Sequence, residues 1–392
     1  MELEPAVTSA PPTAAPTAEA PAQAPAKLEP PGAPGSRLRR LYEWADERLG
    51  LTELRKFAAK KTVPEHRHAF WYYWGGISLF LFIVQVLTGV LLLVYFRPGP
   101  EAYDSVRRIT YEIHFGWLVR SAHSWSANLM VFAVFVHMFS AGLMKAYRKP
   151  REFTWWSGVV LLLLTLGFGF SGYLLTWDEV AYFGTKVGIE VAEKTPVLGR
   201  PYANLLRGGP DVNENTLQRF FALHVVIFPL LFMPVLVLHL WLVSKHGNAV
   251  PPSEEAKPAA RRKSVPFFPN FMMKDLAMWL IALNVIAIFA SFFPWQLGSQ
   301  ADPLKPAPVG IHPEWYFMSS FQVLKIFGDW FPGAAGEMFG MAVFTLGLGL
   351  WFLLPLFDPS SKNGRRARLA TYFILFALAV LVVTTVWGYL AL

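Results

Sequence analysis

Seven stretches of this chain, 70–95, 125–144, 156–175, 220–243, 277–293, 338–356 and 370–390, are each apolar over enough residues to cross a bilayer. About 20 residues at 1.5 Å per residue cover roughly 30 Å of hydrocarbon, so each stretch is expected to be one transmembrane helix. The predicted fold class is an all-α membrane protein with seven transmembrane helices, a four-helix bundle followed by three helices. An odd number of crossings places the C-terminus opposite the N-terminus. Composition agrees, because 54% hydrophobic and only 16% charged residues in a 392-residue chain are too apolar for a soluble protein of this size.

The chain contains no cysteine, so by itself it can hold no iron-sulfur cluster, attach no haem through thioethers and form no disulfide. Any such centre belongs to a partner. The net charge of +8 does not point to nucleic acid, since Lys and Arg gather where the chain leaves the membrane: Lys145, Arg148, Lys149 and Arg151, then Arg261, Arg262 and Lys263, then Lys362, Arg365, Arg366 and Arg368. All three groups fall on the side of the N-terminus, whereas the long segment 294–337 holds only Lys305 and Lys325. The positive-inside rule therefore puts the N-terminus inside and the C-terminus outside, as expected for a bacterial cytoplasmic membrane. Segments 97–120 and 178–219 also carry Arg and Lys, which weakens the bias without reversing it.

Residues 1–36 are rich in Ala, Pro and Thr, lack the apolar core of a signal peptide and are expected to be disordered. In 37–61, Leu38, Leu41, Trp44, Leu49, Leu51 and Leu54 recur among charges, the pattern of an amphipathic helix lying on the membrane surface or packed on a partner. The linker 247–270 then separates a four-span region, 62–246, from a three-span region, 271–392, and no internal repeat relates the two.

Four of the nine histidines lie inside the predicted spans, where a polar ring is costly unless it is used. His123 and His137 flank the second span; His224 and His239 flank the fourth. A separation of 14 residues returns a side chain to within roughly 40° after about 21 Å, and one of 15 to within roughly 60° after about 22 Å. Each helix thus presents one histidine near each membrane surface on one broad face. The second and fourth spans run in the same direction, so His123 pairs with His224 and His137 with His239, and each pair is able to clamp a haem iron from both axial positions. A lone histidine in a membrane helix is more often a hydrogen-bonded packing residue; four in matched register are better read as ligands.

Glycine supplies an independent spacing. A flat macrocycle wedged between helices needs neighbouring backbone without side chains, and Gly75 and Gly89 on the first span, like Gly158 and Gly172 on the third, are 14 apart. Arg120 and Arg219, just ahead of His123 and His224, are placed either to pair with haem propionates or to snorkel to the interface.

With these residues in view, RSAHSWSANLMVFAVFVH (120–137), SGYLLTWDEVAYFG (171–184), LQRFFALH (217–224) and HPEWYFMSSFQVLK (312–325) closely resemble the cytochrome b family of quinol:cytochrome c or plastocyanin oxidoreductases. The resemblance runs from about residue 41 to the end and is nearest to the photosynthetic form, with cytochrome b and subunit IV fused in one chain. It implies a di-haem subunit carrying two non-covalent b-type haems. Such a subunit oxidises a membrane quinol at the outer side, sends one electron to a Rieske iron-sulfur protein and passes the other through the haems to an inner quinone site, contributing to a proton gradient. A c-type cytochrome or similar acceptor, a homodimeric complex and no nucleic acid are implied with it.

The resemblance assigns the quinol site to Pro313, Glu314, Trp315 and Tyr316, with Glu314 taking the proton and Tyr173 lining the same pocket. A carboxylate at the membrane boundary suits that task, because desolvation raises its pKa. On the inner side, Lys274 and Asp275 match a quinone-contacting pair, although Asp275 also fits a helix cap, and Ser244 stands where a quinone-binding histidine is often found. Thr176 replaces a proline of the family's GYxLPW pattern, and Tyr73 stands in place of a haem-attaching cysteine, so a covalent haem is not expected. Two rival readings are a di-haem anchor of another quinone-linked oxidoreductase, which the PEWY motif disfavours, and a secondary transporter, which would show paired helix breaks or inverted repeats.

Overall fold

The structure, a computed structural model, describes residues 31–195, 199–331, 333–359 and 364–391. Of the tail expected to be disordered, residues 1–30 lie outside the described residues. The chain forms two compact units that divide after Lys61.

The first unit is a helical elbow. Instead of one amphipathic helix, 37–61 makes two, Arg37–Leu49 and Leu51–Lys60. Ser36 caps the first by accepting from the Arg39 amide. Gly50 ends it with φ 63°, a left-handed conformation that glycine adopts without steric cost. Asp46 then locks the elbow, accepting from the Thr52 amide at 2.5 Å and its hydroxyl at 2.7 Å. Leu38, Leu41, Trp44, Leu49 and Leu54 all remain exposed.

Among the described residues, the second unit, Thr62–Leu392, contains seven helices long and apolar enough to cross a membrane: Ala69–Leu93, Gly116–Leu143, Glu152–Leu174, Glu214–His246, Phe267–Phe292, Ala335–Phe352 and Arg365–Leu390. Helices answer the hydrocarbon's demand that every backbone N–H and C=O be bonded within the segment. The chain is an integral membrane protein. All seven expected spans are present, most of them longer than their apolar stretches, because polar turns continue the helix beyond the bilayer. The second begins at Gly116 and the fourth at Glu214, where Asn213 and Thr216 form a reciprocal capping box.

In packing, the first span lies against the second, the third against the fourth, and the fifth against both the first and the second. A central cluster of Leu81, Phe82, Met130, Ala133, Leu161, Phe232 and Ile286 draws together the first five spans. The segment 294–337, between the fifth and sixth spans, contains a further helix, Trp315–Trp330, that packs on the sixth and seventh spans. Two more helices, Glu179–Glu193 and Gly199–Arg207, form a hairpin between the third and fourth spans. A short antiparallel sheet pairs Thr62–Glu65 with Lys263–Pro266 and ties the start of the first span to that of the fifth.

The loop after the second span carries cations that the sequence placed at the membrane surface, yet two of them are buried. Arg148 meets Asp358 at 2.9 Å, the Tyr147 hydroxyl donates to the same carboxylate at 2.8 Å, and Lys145 Nζ donates to the Ala367 carbonyl at 2.9 Å. Burial pulls the Lys145 ammonium down to about 8, against the opposing attraction of Asp358. These side chains staple the loop between spans two and three to the one between spans six and seven, so Lys145 and Arg148 carry less of the topological signal than Lys149 and Arg151. Removing one partner of a buried ion pair strands the other in low dielectric. Asp358→Asn is therefore expected to destabilise the protein by about 3–5 kcal/mol, measured as a lowered thermal midpoint in detergent.

Candidate functional site

The four intramembrane histidines meet as two pairs. The His123 and His224 rings lie 6.4 Å apart between centroids, at 72° to each other. Two metal–imidazole bonds of about 2.0–2.1 Å, with a further ~1.1 Å from each Nε2 to its ring centre, require a separation of about 6.3 Å. His137 and His239 lie close enough to interact electrostatically. The fourth span widens over Leu223–Ile227 into a turn of π geometry at His224, an irregularity often found at functional positions in helices.

Each histidine is faced by one of the four glycines. A Cβ on Gly89 would stand 3.3 Å from His123 Cε1, on Gly75 3.1 Å from His137 Cε1, on Gly158 3.2 Å from His239 Cε1 and on Gly172 2.7 Å from His224 Cε1. The glycines therefore clear room for the imidazoles themselves, a tighter role than the sequence spacing alone suggested.

Three of the rings are also held by hydroxyls, which sequence reasoning missed. Thr88 Oγ1 lies 2.8 Å from His123 Nδ1, Ser157 Oγ 2.9 Å from His239 Nδ1 and Ser171 Oγ 3.1 Å from His224 Nδ1. The signal was present in the sequence, since each hydroxyl residue immediately precedes one of the glycines: Thr88-Gly89, Ser157-Gly158 and Ser171-Gly172. Engaging Nδ1 leaves Nε2 as the nitrogen available to a metal, the arrangement expected of a metal-ligating histidine. Paired imidazoles at this separation, with Nδ1 occupied and glycine backbone alongside, fit a bis-histidine haem. Gln85 adds a bridge between the first and second spans by donating to the His123 carbonyl at 2.7 Å.

The two arginines are placed differently. Arg120 is buried, donates to the Trp295 carbonyl and keeps its Nε without a partner among the described residues, which suits an anionic group. Arg219 turns instead toward the hairpin between the third and fourth spans, where its guanidinium bonds the carbonyls of Asn204 and Leu205 at the end of a helix.

A second feature is a cavity of about 410 Å³ between the third span, the hairpin helices and the segment around 313. Tyr173, Pro313, Glu314 and Tyr316 all line it. Tyr173 rests on Gly184, and the Tyr316 hydroxyl packs against the backbone of Gly169. A β-bridge between Asp178 and Gln300, with the Glu179 amide donating to the Ser299 carbonyl at 2.8 Å, brings the segment after the fifth span onto the end of the third span. Glu314 caps the helix Trp315–Trp330 and is half-buried. Its carboxylate forms no hydrogen bond or ion pair among the described residues. Burial raises its pKa above the usual carboxylate range, the His312 side chain opposing and Asp178 adding to the rise.

Trp315 does not join this group. Successive helical residues diverge by about 100°, and Trp315 points to the second span, donating from Nε1 to Asn128 Oδ1 at 2.8 Å. Of the residues matched to a quinone-contacting set, Lys274 and Ser244 are exposed. Asp275 packs its carboxylate over Gly76, with Oδ1 buried and without a hydrogen-bond partner among the described residues.

The chain matches the family described as cytochrome b/b6/petB over residues 58–247 and that described as cytochrome b(C-terminal)/b6/petD over residues 300–391. It is 46% identical over 345 residues to a cytochrome bc complex cytochrome b subunit of Chlorobaculum thiosulfatiphilum, covering 87% of this chain and 79% of that one. Its fold matches a chain of a solved structure titled hyperthermophilic respiratory Complex III with a TM-score of 0.77 at 30% identity, over 88% of this chain and 91% of the other. The chain belongs to the cytochrome b family. It joins in one polypeptide the cytochrome b region and the region that corresponds to subunit IV.

The tightest of the glycine contacts gives a direct test. A valine at position 172 has its branched carbons where the His224 ring sits, so Gly172→Val is expected to lower the pyridine-haemochrome yield per chain by one haem while Gly347→Val, at a glycine with open space around it, leaves the yield unchanged.

Proposed function

We propose that this chain is the di-haem cytochrome b subunit of a cytochrome bc-type complex and that it oxidises a membrane quinol in the cavity containing Glu314. One electron leaves to a Rieske iron-sulfur protein. The other crosses the membrane, by way of the His123/His224 pair and then the His137/His239 pair, to a quinone near Lys274, Asp275 and Ser244. The observation that carries this reading is the spacing of the His123 and His224 rings at 6.4 Å, each with a glycine against it and its Nδ1 engaged. Bound b-type haems would supply reversible one-electron transfer at two depths of the membrane.

The chain's own residues account for the remaining requirements. Glu314 has a raised pKa and a free carboxylate, which suits it to take a proton from a quinol hydroxyl and release it to water. Tyr173 and Tyr316 form walls of the same cavity, and Pro313 sets its rim. Trp315 serves this site by anchoring the helix to Asn128 on the second span. Arg120 offers a buried cation for a propionate. Oxidation at one surface and reduction at the other moves protons across the bacterial cytoplasmic membrane, with the N-terminus inside and the C-terminus outside. A c-type cytochrome or similar acceptor and a second copy of the complex complete the assembly.

A reduced-minus-oxidised optical spectrum of the purified chain, with haem quantified by pyridine haemochrome and followed on a denaturing gel, tests the reading. Two b haems per chain, both lost on denaturation, are expected; correctly inserted protein without haem would overturn it. In the assembled complex, Glu314→Gln is expected to slow quinol oxidation by about 10²–10⁴-fold. Because Glu314 accepts a proton only when ionised, wild-type turnover falls as pH drops through its raised pKa, and steady-state rates should lose that acid limb in the variant.

A further inference from the structure

The three hydroxyls beside the histidines have a direction that their surroundings dictate. A hydroxyl carries one proton to donate and two lone pairs to accept with. Thr88 Oγ1 donates to the Val84 carbonyl at 2.6 Å, Ser157 Oγ to the Thr154 carbonyl at 3.0 Å and Ser171 Oγ to the Phe168 carbonyl at 3.2 Å. With the proton committed to backbone one turn earlier, each oxygen can only accept from the ring, so Nδ1 of His123, His239 and His224 carries hydrogen and Nε2 presents its lone pair. His137 has no such partner: the residue before its glycine is Trp74, and no hydrogen bond reaches its ring among the described residues.

Resting on the haem reading above, we propose that Thr88, Ser157 and Ser171 are positioning residues that fix the tautomer of three of the four ligands and make the two pairs unequal as electron donors to iron. An acceptor on Nδ1–H raises the basicity of a ligating imidazole, and a more electron-rich ring favours the oxidised metal. Both rings of the His123/His224 pair have a hydroxyl acceptor, and only one ring of the His137/His239 pair does.

The bonds are not equally replaceable. The Phe168 carbonyl also lies 3.1 Å from His224 Nδ1, and the Thr154 carbonyl, which accepts the Ser157 proton, lies beside the His239 ring. Either carbonyl can take over when the serine oxygen is removed. Among the described residues, His123 has Thr88 alone. Thr88 is thus the position where deletion of the oxygen has the largest effect, and valine keeps its shape.

The test is a potentiometric titration of the purified wild-type chain and its variants, read optically and by low-temperature electron paramagnetic resonance. Thr88→Val is expected to shift the oxidised-to-reduced equilibrium of one haem about tenfold toward the reduced form, which is ~59 mV for a one-electron couple, and to leave the other in place. Ser171→Ala should move that same haem by less, Ser157→Ala should move the other one, and Thr88→Ser should restore the wild-type value. Should Thr88→Val fail to retain its haem, the graded shifts of the two serine variants carry the same comparison. Fully loaded variants whose potentials equal wild type, or in which both haems move together, overturn the proposal and leave the di-haem reading intact. A wild-type chain without haem overturns both.

Discussion

An imidazole inside a hydrocarbon-spanning bundle is costly unless both its nitrogens and its flat faces are accommodated. Here that accommodation governs the packing of the first four helices. The second and fourth spans supply the rings; the first and third supply a glycine against each ring and a hydroxyl against three of them. Every added Cβ at those glycines would stand between 2.7 and 3.3 Å from an imidazole carbon, so helix separation and ring position are one constraint. The central apolar cluster fills the layer between the two histidine levels and keeps the four helices in register.

The cavity beside Glu314 depends on a different kind of organisation. Its lining comes from the third span, the hairpin helices and the segment that follows the fifth span, regions far apart in the chain. The Asp178–Gln300 bridge joins the last of these to the end of the third span, and the Trp315–Asn128 bond holds the start of the following helix against the second. Glu314 sits between those two anchors. Its carboxylate is desolvated and, among the described residues, has no ion-pair partner, a combination that distinguishes a group able to exchange protons from one locked in an ion pair.

On the opposite side, charge is used for cohesion. Lys145 and Arg148 look from sequence like free interfacial cations, yet both are buried against Asp358 and the carbonyl of Ala367. Periodicity and hydropathy report which residues face away from water along one helix. They do not report that a loop folds back under another loop some two hundred residues later, as these do.

The sequence by itself determined the all-helical membrane fold, the seven spans, the two histidine levels and the four glycines, because each is a local pattern whose period equals the geometry of a single helix. The elbow at Gly50 interrupts what the sequence pattern reads as one helix, at a residue free to take positive φ. Tertiary structure alone decided what the glycines touch, why Trp315 parts from its neighbours, that 294–337 contains a helix, and that Arg219 turns to the hairpin while Arg120 stays buried. Those outcomes depend on contacts between segments distant in sequence, where close approach and hydrogen-bond geometry, set by the packing of neighbouring helices, decide where each side chain points.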